Sequence, residues 1–308
     1  MTKPIELSVI AMPTGQPQWT ALARRCEAIG ARALLVPDHP GSGPSPYVAL
    51  AAAAATTSTL RLSSYVSNAG VRHPLLLAGD VATLDVVSDG RAELAIGAGH
   101  TPAEWQMIGR DRPESRERVR EFIRVAGAAR ALLAGESVDG ASVGARSDLR
   151  LDEPVRIQQS VPMLVGGGNP DLLDWAGSNA DAVGLSGLGR TLPDGHRHTV
   201  RWSTARIDAQ TGRVRDAAAT AGVPTPPIEA LVQYVRETSD RAAAAAEIAN
   251  RADASNEDVL HAPYVLLGTI EQIVEQLYAA RERWGISRWA VREDGLDVAE
   301  RVLAVLRA

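Results

Sequence analysis

Two histidines stand where short apolar runs break off, His39 in LLVPDHP and His100 in AIGAGH. Imidazole is the side chain whose ordinary pKa lets it take or give a proton near neutrality. In LLVPDHP the neighbouring carboxylate of Asp38 can fix the tautomer of the histidine or hold the polar edge of a ligand, although Asp-His before a proline is also an ordinary turn. In AIGAGH, Gly97 and Gly99 flank Ala98, so a flat ring can rest on bare backbone with His100 facing it. A single histidine at a loop start is equally often a surface or structural residue. A third candidate is PMLVGGGNP, where Gly166, Gly167 and Gly168 lead to Asn169, a capping residue type, and Pro170, which suits a first helical position. Backbone N–H groups there, with the positive end of the helix, can receive a phosphate; the same glycines fit a tight strand-to-helix turn without a ligand. Arg190 in SGLGR is a candidate cation for that phosphate or a solvated loop charge.

Other chemistry is weaker or excluded. His196 and His198 alternate in DGHRHTV, a spacing a metal could use, but no carboxylate or third histidine lies close in sequence, and a solvated loop is the better reading. Arg72, His73 and Pro74 read as the structural start of a helix, with Arg72 able to pair with a carboxylate. Asp85 and Arg91 flank the turn SDGR and read as a fold-supporting ion pair. Cys26, the one cysteine, lies in a helical run and reads as a small buried apolar side chain. The one lysine, Lys3, precedes the first strand, which excludes Schiff-base chemistry inside the fold.

To bring these residues together the chain must form regular elements, and its periodicity supplies them. Short β-branched apolar runs alternate with longer amphipathic segments, the pattern of parallel strands joined by helical crossovers. Strands are predicted at Glu6 to Ala11, Ala33 to Pro37, Leu60 to Val66, Ala92 to Gly97, Pro162 to Gly166, Ala182 to Leu185, Ile228 to Tyr234 and Arg288 to Arg292. Helices follow each, near Trp19 to Ile29, Tyr47 to Thr56, Leu75 to Val87, Glu114 to Ala134, Leu172 to Ser178, Thr199 to Ala221, Arg241 to Arg251 and Leu296 to Leu306. The fold class is α/β, a (β/α)8 TIM barrel, whose chemistry belongs at the C-terminal ends of the strands. Insertions are expected before strand 5 (Gly135 to Ser160), after strand 6 (Ser186 to Arg197) and before strand 8 (Ala252 to Trp284). In the last, Thr269 and Gln272 have a capping-box spacing and Gly285 stands at the C-cap. With 308 residues, 45% hydrophobic and 22% charged, one domain is enough. A net charge of −5 without blocks of like charge argues against nucleic acid and membrane surfaces, leaving a small-molecule partner. No signal-peptide pattern opens the chain, so a cytoplasmic location is expected.

Five segments, in order, resemble the luciferase-like family, most closely its deazaflavin-dependent (coenzyme F420) oxidoreductase branch. They are VPDHP, SYVSNAGVRHP, ATLDVVSDGRAELAIGAGH, PMLVGGGNPDLLDWAGSNADAV and PYVLLGTIEQIVEQLYAARERWGIS. The resemblance covers nearly the whole chain and implies a single luciferase-like domain over residues 1–308. It implies a bulge in the third strand with a non-prolyl cis peptide at Tyr65 and Val66 behind the ring. It also implies Asp38 at the deazaflavin head, Ala98 and Gly99 lining the ring, phosphate at Gly166, Gly167, Gly168 and Asn169, and His39 in proton transfer. His100 departs from relatives that present a glutamate there, so a different substrate is expected. The loop PGSGPSPY lacks the tryptophan of sugar-phosphate relatives, and the single lysine leaves no cationic clamp, so a sugar phosphate is not expected. The implied activity is hydride transfer between F420 and a small organic substrate, with His39 or His100 managing the proton, by a homodimer. The alternatives are an FMN-dependent monooxygenase using molecular oxygen and a flavin- or deazaflavin-binding protein without turnover.

Overall fold

The computed structural model describes residues 3–192 and 198–307. Its strands are β1 (Glu6–Ile10), β2 (Ala33–Val36), β3 (Arg61–Ser64), β4 (Ser67–Asn68), β5 (Ala92–Gly97), β6 (Met163–Gly166), β7 (Ala182–Leu185), β8 (Leu188–Thr191), β9 (His198–Val200), β10 (Ile228–Leu231), β11 (Tyr234–Glu237), β12 (Val265–Gly268) and β13 (Ile286–Arg292). Its α-helices are α1 (Gln16–Ala28), α2 (Pro46–Ala54), α3 (Pro74–Val87), α4 (Pro102–Met107), α5 (Ser115–Leu133), α6 (Pro170–Asn179), α7 (Thr204–Ala221), α8 (Arg241–Ala252), α9 (Asn256–His261), α10 (Ile270–Trp284) and α11 (Leu296–Arg307).

The main sheet has the order β3-β2-β1-β13-β10-β7-β6-β5, and β3 also pairs with β5. This is the closed parallel ring of a (β/α)8 barrel, as the alternation predicts. Short runs such as ALLV in β2 and AVGL in β7 are buried at every residue, the signature of strands covered on both faces. The chain divides into two compact units, one of residues 11–28 and 33–166, the other of the described residues in 1–10, 29–32 and 167–308.

In the first unit β2, β3, β5 and β6 run parallel, with α1, α2, α3 and α5 as crossovers. The predicted third strand is broken. Ser63 faces Glu93 before the break and Ser67 faces Ile96 after it, so β3 and β4 together hold one residue more than β5 across the same interval. That is a bulge, and the peptide Tyr65–Val66 within it is cis, where the family resemblance put it. Asp85 and Arg91 do not pair with each other. Asp85, fully buried, accepts from the backbone N–H groups of Ile157 and Gln158 (2.7 and 3.0 Å) and from the Gln158 amide, anchoring the insertion before β6. Arg91 donates to carbonyls of Ala54, Thr57, Leu60 and Ser88. Each buried charge is satisfied by backbone groups brought to it by the loops.

In the second unit β1, β13, β10 and β7 run parallel. The predicted seventh strand stops at Leu231, and its last residue, Tyr234, starts β11, which pairs with β12 as a separate two-stranded sheet. Helix α7 starts at Thr204 rather than Thr199, because Ser203 caps it and His198–Val200 forms a hairpin strand with β8. The capping box of Thr269 and Gln272 opens α10, and Gly285 closes it at φ 72°. Lys3 is exposed and donates to the carbonyl of Thr225. Cys26, in α1, is buried. His196 lies outside the described residues. Among the described residues no helix is long and apolar enough to cross a membrane.

Candidate active site

The proton-handling candidates all belong to the first unit, at the ends of its strands. Just beyond β2 the carbonyl of His39 accepts from the backbone N–H groups of Ser42 and Gly43 (3.0 and 2.8 Å), so DHP does form a turn. Its side chains are nonetheless engaged. Asp38, 2% exposed, is held by Arg72 in a forked pair, Oδ1 to Nη2 at 2.7 Å and Oδ2 to Nε at 3.0 Å. The Arg72 guanidinium also lies 5.9 Å from the centre of the buried Tyr47 ring. The Tyr47 hydroxyl bonds Ser64 and Ser67, and burial pushes its pKa up to about 12.

His39 points its Nδ1 at a residue the sequence reading did not single out, Glu104 of α4, at 2.6 Å. The other Glu104 oxygen accepts from Asn68 Nδ2 of β4 at 2.8 Å. Glu104 is 3% exposed, whereas the His39 side chain is 38% exposed. The hydrogen bond His39 donates to Glu104 raises its imidazole above the ordinary 6.5 against the opposing effect of burial, and the charges of Glu104 and Asp38 add to the rise. For Glu104, burial alone pushes the carboxyl up, but the bonds from His39 and Asn68 and the charges of His39 and His100 outweigh it and hold it below the ordinary carboxylate range. His100 is half-buried after β5, its ring centre 5.7 Å from that of His39 with an edge-on arrangement. The two predicted histidines therefore meet, and the carboxylate between them was missed.

Beside this cluster Tyr65, Val66, Ala98, Gly99 and Gly166 are half-exposed. The glycines here serve neighbours in the protein. A Cβ on Gly97 would come within 2.9 Å of Val66 Cγ2, one on Gly166 within 3.1 Å of Val66 Cγ1, and one on Gly99, at φ 72°, within 2.1 Å of Asn68 Oδ1. Val66, in the cis bulge, thus lies against the bare backbone of two strand ends and forms a half-open apolar floor with them. An apolar floor edged by proton donors and acceptors suits a planar heteroaromatic ring.

The second unit holds the glycine turn. Gly167 N–H donates to the carbonyl of Gly184 at 3.0 Å, and Asn169 caps α6 by accepting from the backbone N–H groups of Asp171 and Leu172. The Gly168 carbonyl accepts from Gln210 Nε2 at 3.2 Å and Arg206 Nη2 at 3.4 Å, both on α7. Arg206 is therefore a cation beside the turn, and Arg213, paired with Asp174, also donates to the Pro170 carbonyl at 3.1 Å. Arg190 instead lies exposed on the β8–β9 hairpin, its backbone N–H bonded to Thr199 Oγ1. Among the described residues no group of three or more His, Cys, Asp or Glu is arranged to hold a metal.

Of known protein families, the one described as luciferase-like monooxygenase matches residues 11–288. An F420-dependent glucose-6-phosphate dehydrogenase of Beutenbergia cavernae is 32% identical over 185 residues, 56% of this chain and 53% of that protein. The chain spans about half the length of the curated relatives it matches. Among solved structures, the coenzyme F420-dependent tetrahydromethanopterin reductase of Methanopyrus kandleri superposes with a TM-score of 0.75 at 18% identity, covering 98% of both chains. The monooxygenase RslO1 of Streptomyces bottropensis superposes with a TM-score of 0.74 at 24% identity over 97% of both. At these identities the superpositions speak to the fold alone.

Proposed function

Because the chain belongs to the luciferase-like monooxygenase family and so is an enzyme of oxidoreductase or monooxygenase type, we propose that it transfers a hydride between coenzyme F420 and a small organic substrate. When bound, F420 supplies a ring carbon that gives or accepts a hydride. The observation that carries the reading is the cluster of His39, Glu104 and His100 beside the half-exposed residues Tyr65, Val66, Ala98 and Gly99. Hydride movement at a substrate carbon builds or removes charge on the neighbouring heteroatom, which must gain or lose a proton in step. His39, half-exposed and with its imidazole raised above its ordinary value by the bond to Glu104, is the group that exchanges it, with His100 next to it.

Asp38 serves this site by charge. Both its oxygens are engaged by Arg72, so it acts on His39 through the field rather than by moving a proton itself. In the second unit the phosphate-receiving turn of this reading is Gly168 and Asn169 with the N-terminus of α6, since the Gly167 N–H is already bonded to the Gly184 carbonyl, and Arg206 adds positive charge there. The absence of lysine other than Lys3 and of tryptophan in the loop after His39 supports a substrate other than a sugar phosphate. A cytoplasmic homodimer belongs to the same reading.

The family description itself favours a second reading, an FMN-dependent monooxygenase. Titration of the apo-protein with each cofactor, followed by ring absorbance, separates the two. Binding of F420 with none of FMN is the expected result, and the reverse overturns it. Replacing Gly168 by Asp, where a Cβ crowds only the flexible end of Gln210, is expected to abolish cofactor binding by charge. A third reading, a binding protein without turnover, is excluded by any substrate-dependent change in the redox state of the bound ring. Turnover that persists in both His39→Ala and His100→Ala assigns the proton to substrate or water.

A further inference from the structure

Helix α4 opens with Thr101-Pro102-Ala103-Glu104, the spacing of a capping box, in which the glutamate would fold back onto the backbone N–H of the cap residue. It does not do so. Thr101 makes no side-chain cap bond, and the Glu104 carboxylate turns inward, where His39 Nδ1 lies at 2.6 Å and Asn68 Nδ2 at 2.8 Å. A local stabilising contact has been given up for two long-range ones. Asn68 is itself locked, since its Oδ1 accepts the Gly70 backbone N–H at 2.9 Å, and the missing Cβ of Gly99 leaves room for its amide. With Oδ1 an acceptor, the Asn68 amide can only present its NH2 to Glu104, so its partner must be an acceptor. Glu104 Oε2 is therefore an acceptor; with the carboxyl held below its ordinary range, Oε1 is one as well, and the hydrogen between Glu104 and His39 belongs to Nδ1.

We propose that Glu104, oriented by Asn68, is a positioning residue that fixes His39 in the Nδ1–H tautomer and leaves Nε2 as the atom that exchanges a proton with substrate. In the step this assigns, an Nε2–H bond forms as the substrate heteroatom loses its proton, and the reverse holds in the other direction. Among the described residues, the charged and titratable groups that face His39 are Glu104 from α4, Asp38 at the end of β2, itself paired with Arg72, and His100 after β5. The hydrogen-bonded pair with Glu104 touches the His39 ring nitrogen directly and sets the direction of the shift. The inference rests on His39 being the proton-handling group of the proposed reaction, but its structural half can be read without turnover.

The test is a pH titration of the ring 15N and 1H signals of the full chain without cofactor, with His39→Asn to assign the His39 signals. In the native chain the neutral form of His39 is expected to carry its proton on Nδ1; the Nε2–H tautomer overturns the proposal without any variant being made. In Glu104→Gln the His39 midpoint is expected to fall by about one pH unit or more, with a smaller fall in Asn68→Ala and partial recovery in Glu104→Asp. An unchanged midpoint in Glu104→Gln overturns it. With cofactor and substrate, Glu104→Gln is expected to lower kcat at least tenfold with KM little changed, and to move the His39-controlled limb of the pH profile in the direction of the NMR shift. If the NMR results hold while His39→Ala turns over normally, the proton role of the proposed function fails and the Glu104–His39 coupling stands.

Discussion

His39 and Glu104 meet as opposite charges across 65 residues of sequence, and their titration in opposite directions makes the contact measurable. His39, raised above 6.5 in the folded chain, contributes stability that is complete below 6.5 and is lost as pH climbs through the raised value. Glu104, held below 4.5, contributes stability present above 4.5 and lost as pH falls through the lowered value. The charged pair is whole between 4.5 and 6.5. The stability gap between the native chain and Glu104→Gln, measured by urea unfolding, is therefore expected to be largest near pH 6 and to narrow toward pH 9. A gap that widens over that range contradicts the pairing. Breaking the Asp38–Arg72 pair from the arginine side is costly, because Asp38 is almost wholly removed from water. Arg72→Met is expected to destabilise the chain by about 3 kcal/mol or more, leaving a buried carboxylate without a partner. A loss under 1 kcal/mol would mean that Asp38 regains water through the open strand end. At this scale the sequence pointed to the two histidines and the aspartate by their positions at strand ends. It did not point to Glu104, whose Thr-x-x-Glu spacing reads locally as a cap.

At the scale of elements, α4 matters most to the site and was absent from the sequence reading, being six residues long and without a full apolar repeat. Its place is set by Trp105, which is fully buried with its ring against Gly70, just beyond β4. A Cβ on Gly70 would come within 1.7 Å of the Trp105 ring. Gly70→Ala is thus expected to push Trp105, and with it the neighbouring Glu104, out of position. The expected cost is about 1 to 3 kcal/mol from overpacking, with a changed near-ultraviolet tryptophan signal and a His39 midpoint moved toward 6.5. A native-like spectrum would show that α4 is held by other contacts. The β3–β4 bulge places Asn68 opposite Gly97. That one-residue insertion puts the amide within reach of Glu104, and periodicity, which ran the strand unbroken through Val66, could not reveal it. The family resemblance could, since SYVSNAGVRHP carries the bulge.

For the whole molecule, eight alternations of apolar strand and amphipathic helix were legible along the chain, and the ring of eight parallel strands is their outcome. The reason is local: buried parallel strands must be apolar at every position and their crossover helices amphipathic, and both patterns are written in consecutive residues. The capping box that opens α10, the glycine that closes it and the family were readable for the same reason. The insertions behaved otherwise, becoming the β8–β9 hairpin, the β11–β12 pair and the loop that closes on Asp85, none of which a periodicity announces. What tertiary structure alone decided is which charge meets which: Asp38 with Arg72 rather than a free edge, Asp85 with loop backbone rather than Arg91, Glu104 with His39 rather than its own helix cap. These partners lie 34 to 73 residues apart. A buried charge takes the partner that packing brings within 3 Å, and sequence spacing encodes neighbours along an element, not those across a closed ring of strands.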